Sequence, residues 1–179
     1  MTEANSFEYD KKSVWDNLKE GEEEELENLC YEYKLFLDNA KTERKAVKEI
    51  VKFAEEEGYH NLADGRSSNG RYYFNYKNKV AVIFRHAEDK PLKRGLKIVA
   101  SHIDSPRLDL KQNPLYEDQE IAFFKTHYYG GIKKYQWFAR QLAIHGVFAF
   151  KDGSVKEITI GEGDDDPVFT IDDLLPHLD

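Results

Sequence analysis

The chain has 179 residues, of which 34 are acidic and 26 basic, giving a net charge of -8, and it is 40% hydrophobic and 13% aromatic. That much apolar surface excludes a disordered polymer, and the acidic balance argues against nucleic acid as a partner, because such surfaces need a basic stripe. The single cysteine, Cys30, excludes an internal disulfide and fits a reducing compartment. No leader-like apolar segment opens the chain and nowhere do about 18 apolar residues run together, so no membrane partner is expected and cytoplasmic localisation is.

From Glu22 the apolar positions Leu26, Leu29, Cys30, Tyr33, Phe36 and Leu37 keep a helical period, with four glutamates in the first turn where the helix dipole favours them. Cys30 reads as core filler on that stripe. A second helix follows, with Thr42 as N-cap, an inner face of Ala46, Val47, Ile50, Val51 and Ala54, and Gly58 as its stop. After the turn-rich stretch Asp64–Gly70 come three short runs rich in β-branched and aromatic residues, RYYFNY, KVAVIFR and LKIVASHI. The third, Leu96–Ile103, reads as a central strand covered on both faces, ended near Asp104 or Ser105 by Pro106, which has no N–H for a ladder. Farther on, Asp152-Gly153 between strand-like runs predicts a two-residue hairpin, and Gly161–Pro167 an exposed loop. VFTIDDLLPHLD then begins another element, and the stop directly after an apolar Leu-Leu-Pro-His-Leu reads as a truncation.

Residues i and i+2 on a strand share a face, so His102 and Asp104 can cooperate at the strand's C-terminal end. A metal-binding imidazole needs its other ring nitrogen held, and a nearby carboxylate does this. Spacing alone leaves the simpler reading open, a pair of polar residues at a strand end. The other motifs are weaker. Gly130-Gly131 with Lys133 and Lys134 lacks the phosphate-loop spacing and reads as a turn. Ser101 and Ser105 lack a nucleophile elbow. His60, His86, His127 and His145 have no ligand spacing and receive no chemistry.

Three blocks in order, ASHIDSPRLDLKQNPLYE, FKTHYYGGIKKYQWFARQLAIHG and FTIDDLLPHL, resemble the aspartyl-aminopeptidase family of co-catalytic zinc aminopeptidases, whose members are much longer. The resemblance implies an α/β fold: the N-terminal part of a mixed-sheet zinc-exopeptidase domain, an α/β sandwich, followed by the start of an inserted β-rich dimerisation domain. On that reading residues 1–110 belong to the catalytic metallopeptidase domain and 111–179 begin the inserted one. It further implies His102 as a zinc ligand, Asp104 as the catalytic carboxylate that orients it, and His177 as a substrate-binding residue offered to a neighbouring subunit. Two divalent metal ions, zinc by family, peptide substrates and a homo-oligomer, dodecameric in the family, complete the expectation.

The resemblance also implies that the family's other metal ligands and its general base would lie beyond Asp179. One imidazole does not hold zinc well, since a catalytic site ordinarily supplies three protein ligands. The chain by itself is therefore expected to lack peptidase activity. Arg107 and Asp109 receive only structural roles, and Tyr129, Gly130, Gly131, Trp137 and Arg140 are read as shaping the inserted domain. The alternative is a non-catalytic oligomerisation or interaction module whose helices and hairpin form a partner surface.

Overall fold

The structure, a computed structural model, describes residues 11–65, 69–86 and 95–171. It divides into two units, Met1–Asn39 and Ala40–Asp179. The first holds a 3-10 turn, Trp15–Asn17, and helix α1, Glu22–Asn39. Glu22 to Glu25 form the first turn of α1, and the Glu22 carboxylate accepts from Lys19 N at 2.8 Å. Its apolar stripe is uncovered: no residue of α1 is buried, and Leu29, Tyr33 and Leu37 are exposed. The expectation that Cys30 fills a core is thus corrected, because that residue is exposed. A stripe is buried only by something laid against it, and the described part of this unit offers a single short turn.

In the second unit, helix α2 (Glu43–Glu56) starts where its cap requires. Thr42 is extended, at φ -138° and ψ 162°, and its hydroxyl accepts from Lys45 N. The helix ends at Gly58, whose φ of +76° lets Tyr59 N reach back to Ala54 O. Ala46, Val47 and Ala54 are buried, and Val47 is fully so. The expected inner face is therefore the buried one at these positions, with Ile50 and Val51 half-buried.

Against α2 packs a three-stranded sheet in the order β1 (His60–Asn61), β2 (Arg71–Tyr76) and β3 (Val80–Arg85). The first pair is parallel and the second antiparallel, with Tyr72 opposite Phe84 and Tyr73 opposite Ile83. Tyr73 points into the core beneath α2 and donates from its hydroxyl to Glu55 at 2.5 Å. Strand β3 carries the KVAVIFR run and β2 the RYYFNY run, as their β-branched and aromatic content predicts.

Two antiparallel hairpins follow, β4 (Arg107–Asp118) with β5 (Ile121–Tyr129), and β6 (Ile144–Ala149) with β7 (Val155–Ile160). Residue 110, taken from the sequence as a domain junction, lies inside β4. The β4–β5 register shifts between Leu110 and Leu115, around Pro114, which cannot donate to the ladder. At Asp152-Gly153 the turn is longer than the two residues expected. Phe150 N donates to Ser154 O and encloses three residues, with Gly153 at φ +87°.

The larger correction concerns Leu96–Ile103. It is not a strand and pairs with no other described residue, and Ile98 and Val99 are 78% and 99% exposed. A ladder takes two partners, so apolar character alone does not make a strand where no described neighbour lies alongside. Pro106 still marks a boundary, but it precedes β4 instead of closing a strand. His177 lies outside the described residues. No described helix is long and apolar enough to cross a membrane.

Candidate functional site

His102 and Asp104 meet although they do not share a strand. The His102 ring folds back so that Nδ1 lies 2.9 Å from Asp104 O and 3.2 Å from Asp104 Oδ1. Both neighbours are acceptors, so in the neutral ring Nδ1 carries the proton and the lone pair falls on Nε2. The His102 side chain is 84% exposed, which leaves Nε2 facing outward. That is the tautomer a metal ligand held from behind would adopt.

Asp104 is itself held. The Tyr129 hydroxyl, at the end of β5, donates to Asp104 Oδ2 at 2.6 Å. This bond, with help from the residue's own backbone and a smaller contribution from His102, keeps the Asp104 carboxyl below the usual carboxylate range. The same bond pushes the Tyr129 phenol up. Arg107 lies 4.1 Å over the Tyr129 ring and donates from Nε to Asp109 Oδ1 at 2.8 Å. Arg107 and Tyr129 are also ladder partners, so the hairpin fixes the phenol three positions beyond the motif. The sequence carried no signal for this contact beyond an aromatic pair ahead of Gly130-Gly131.

Among the described residues there is no group of three His, Cys, Asp or Glu side chains able to hold a metal ion. Among the described residues, His102 can therefore offer a metal ion no more than one ligand of a set.

A second polar cluster escaped the sequence reading. A cleft of about 550 Å³ opens between the start of α2, residues Arg107 to Asp109 and the β6–β7 hairpin. Within it Lys45 Nζ donates to His145 Nδ1 at 2.9 Å and to Thr159 Oγ1 at 3.2 Å, while His145 Nε2 faces Glu162 Oε1 at 3.0 Å. Lys48 pairs with Glu157 beside it. Burial first, and the Lys45 cation second, push the His145 imidazole down, against an opposing pull from Glu162. Glu162 is presented by a cinched loop in which Asp166 Oδ2 accepts from the N–H groups of Gly161, Glu162 and Gly163. No spacing rule could have joined Lys45 to His145, because a hundred residues separate them.

An imidazole turned outward against a carboxylate is the arrangement of a single metal ligand held from behind. Residues 36–179 match the M18 peptidase family, described as aminopeptidase I zinc metalloprotease, and the chain belongs to that family. It is 52% identical over 172 residues to the probable M18 family aminopeptidase 1 of Thermotoga maritima, a match covering 95% of this chain and 37% of that protein. The crystal structure of the M18 aminopeptidase from Thermotoga maritima superposes with a TM-score of 0.81 at 50% identity, over 96% of this chain and 38% of that one. That of aminopeptidase I from Borrelia burgdorferi B31 gives 0.82 at 36% identity, over 92% and 41%. The chain thus spans about 37% of the length of the curated relatives it matches. The family expected from the three sequence blocks is the family found, and so is the mixed α/β fold.

Proposed function

We propose that this chain is the N-terminal part of a zinc-dependent aminopeptidase that removes N-terminal residues from peptides. The observation that carries the reading is the His102–Asp104 pair, which leaves Nε2 with its lone pair toward solvent. In this assignment His102 is one metal ligand, Asp104 orients its ring, and His177 contacts substrate across a subunit boundary in a cytoplasmic homo-oligomer. Bound zinc supplies a Lewis acid and a water acidic enough to attack a carbonyl near neutral pH. The chain's own part is to hold the ring: Asp104 keeps the proton on Nδ1, so that no reorientation is needed when the ligand site is completed. The exposed Leu96–Val99 run fits the same reading, because an apolar segment of this kind is ordinarily covered by a partner and none lies alongside it among the described residues.

The test is a chimera in which this chain replaces the matching segment of the Thermotoga maritima relative, assayed on aminoacyl p-nitroanilides with zinc. Turnover by the chimera, its loss by at least about a hundredfold in His102→Ala, and no turnover by the isolated chain are expected. Turnover that survives His102→Ala would remove the metal-ligand assignment. Hydrolysis by the isolated chain would remove the claim that further polypeptide is needed.

A further inference from the structure

We infer that Tyr129 is a positioning residue: its hydroxyl clamps the Asp104 carboxylate so that the free oxygen is held for the His102 ring. This rests on the reading of His102 as a metal ligand.

A carboxylate in solvent rotates about its Cβ–Cγ bond and offers its two oxygens interchangeably, so an exposed aspartate makes a poor orienting group. Asp104 is only half-buried, its side chain being 37% exposed. Burial cannot fix it. What distinguishes its two oxygens is that Oδ2 is occupied by Tyr129 at 2.6 Å, while Oδ1 lies 3.2 Å from His102 Nδ1. With Oδ2 pinned, Oδ1 is held on the His102 side, next to the Asp104 backbone oxygen that lies 2.9 Å from the same Nδ1.

The phenol is well suited to the clamp because its own position is set by backbone. Tyr129 is paired with Arg107 in the β4–β5 ladder, and Arg107 follows Asp104 by three residues. The hairpin therefore returns the chain to the motif from 25 residues away with its reach determined by ladder register. The Arg107 guanidinium over the ring at 4.1 Å restrains the ring plane, and Asp109 restrains the guanidinium through Nε. Behind the ring the chain turns at Gly130, at φ +72°, where an added Cβ would meet Pro106 at 3.6 Å, so the two strand ends stay close. A relay of four side chains, Asp109, Arg107, Tyr129 and Asp104, thus ends on His102.

A merely structural tyrosine would pin the hairpin and leave the imidazole unaffected; a positioning tyrosine changes which ring nitrogen carries the proton. The test is nitrogen-15 NMR of the His102 imidazole in the full chain, at a pH about two units above the ordinary histidine value, comparing wild type, Tyr129→Phe, Asp104→Ala and the chain with 3-fluorotyrosine at position 129. Phenylalanine keeps the ring under Arg107 and removes only the donor. The ratio of Nδ1–H to Nε2–H tautomers should fall about threefold in Tyr129→Phe, the effect of losing one hydrogen bond of ordinary net strength. It should also shift with 3-fluorotyrosine, whose more acidic hydroxyl alters the bond to Oδ2; that arm decides the matter if the phenylalanine variant does not fold. An unchanged ratio in both Tyr129 substitutions, together with a fall in Asp104→Ala, would overturn the role of Tyr129 and leave the His102–Asp104 pairing intact. A ratio unmoved by Asp104→Ala as well would mean that the Asp104 backbone carbonyl, 2.9 Å from Nδ1 and kept in that variant, sets the tautomer without the carboxylate, and would overturn the clamp.

Discussion

Lys45 Nζ lies 2.9 Å from His145 Nδ1, joining helix α2 to strand β6 through a contact in which a cation donates to an imidazole. The arrangement works only while that imidazole is neutral, since a protonated ring has no lone pair at Nδ1 to accept with. Glu162 on the other nitrogen, Lys48 and Glu157 alongside, Thr159 beneath and the Lys41 cation nearby make up the charged and polar surroundings.

The pH dependence follows from the sign of the shift. Burial and Lys45 lower the His145 pKa in the folded chain, so below the ordinary value of about 6.5 the unfolded chain takes up the proton first. Stability from this group is fully present above that value and is lost as pH falls toward the lower folded value. Urea midpoints measured from pH 8 to pH 5 should decline across that window, and His145→Gln should flatten the decline. An unchanged slope in the variant would show that other groups carry it.

Tyr73 predicts the alkaline counterpart. Its phenol is pushed up to about 12, first by donating to Glu55 and then by burial. The stabilisation is present below the ordinary tyrosine value of about 10 and disappears as pH rises toward the folded value. Tyr73→Phe should cost about 1 kcal/mol at neutral pH, the net worth of one hydrogen bond, and should remove the extra loss of stability above pH 10 seen by circular dichroism in the wild type.

Val47 is fully buried in the face of α2 that meets the sheet. Val47→Ala removes two buried methyl groups and leaves a small cavity, for a loss of about 2 kcal/mol. The check is the urea midpoint, with an unchanged dependence on denaturant concentration.

Gly70 stands at φ +69° where an added Cβ would come within 2.1 Å of His86 O, and its own carbonyl accepts from His86 N. Gly70→Ala is expected to cost about 2 to 3 kcal/mol, from left-handed backbone strain plus displacement of that hydrogen-bonded pair. Faster amide exchange in β2 and β3 than in the β6–β7 hairpin would locate the damage. Uniform exchange across both would contradict it.

The elements legible in the residues are those whose hydrogen bonds close locally. Thr42 caps α2 and Gly58 ends it through contacts three to five residues long, and Asp152-Gly153 marks a turn whose exact length alone was misjudged. His102 and Asp104 belong to the same class, since two positions apart they meet in an irregular segment as readily as on a strand. Leu96–Ile103 and the stripe around Cys30 belong to another class. Their apolar composition says that they favour burial, while whether they are buried depends on a surface arriving from elsewhere, and the described residues provide none. Tyr129 on Asp104 and Lys45 on His145 are of the same kind, for a hydrogen bond between residues 25 or 100 positions apart exists only once the path of the backbone has brought them together. Residue identity sets local conformation through sterics and short-range capping; the pairing of distant groups is set by chain topology, which no short window of sequence encodes.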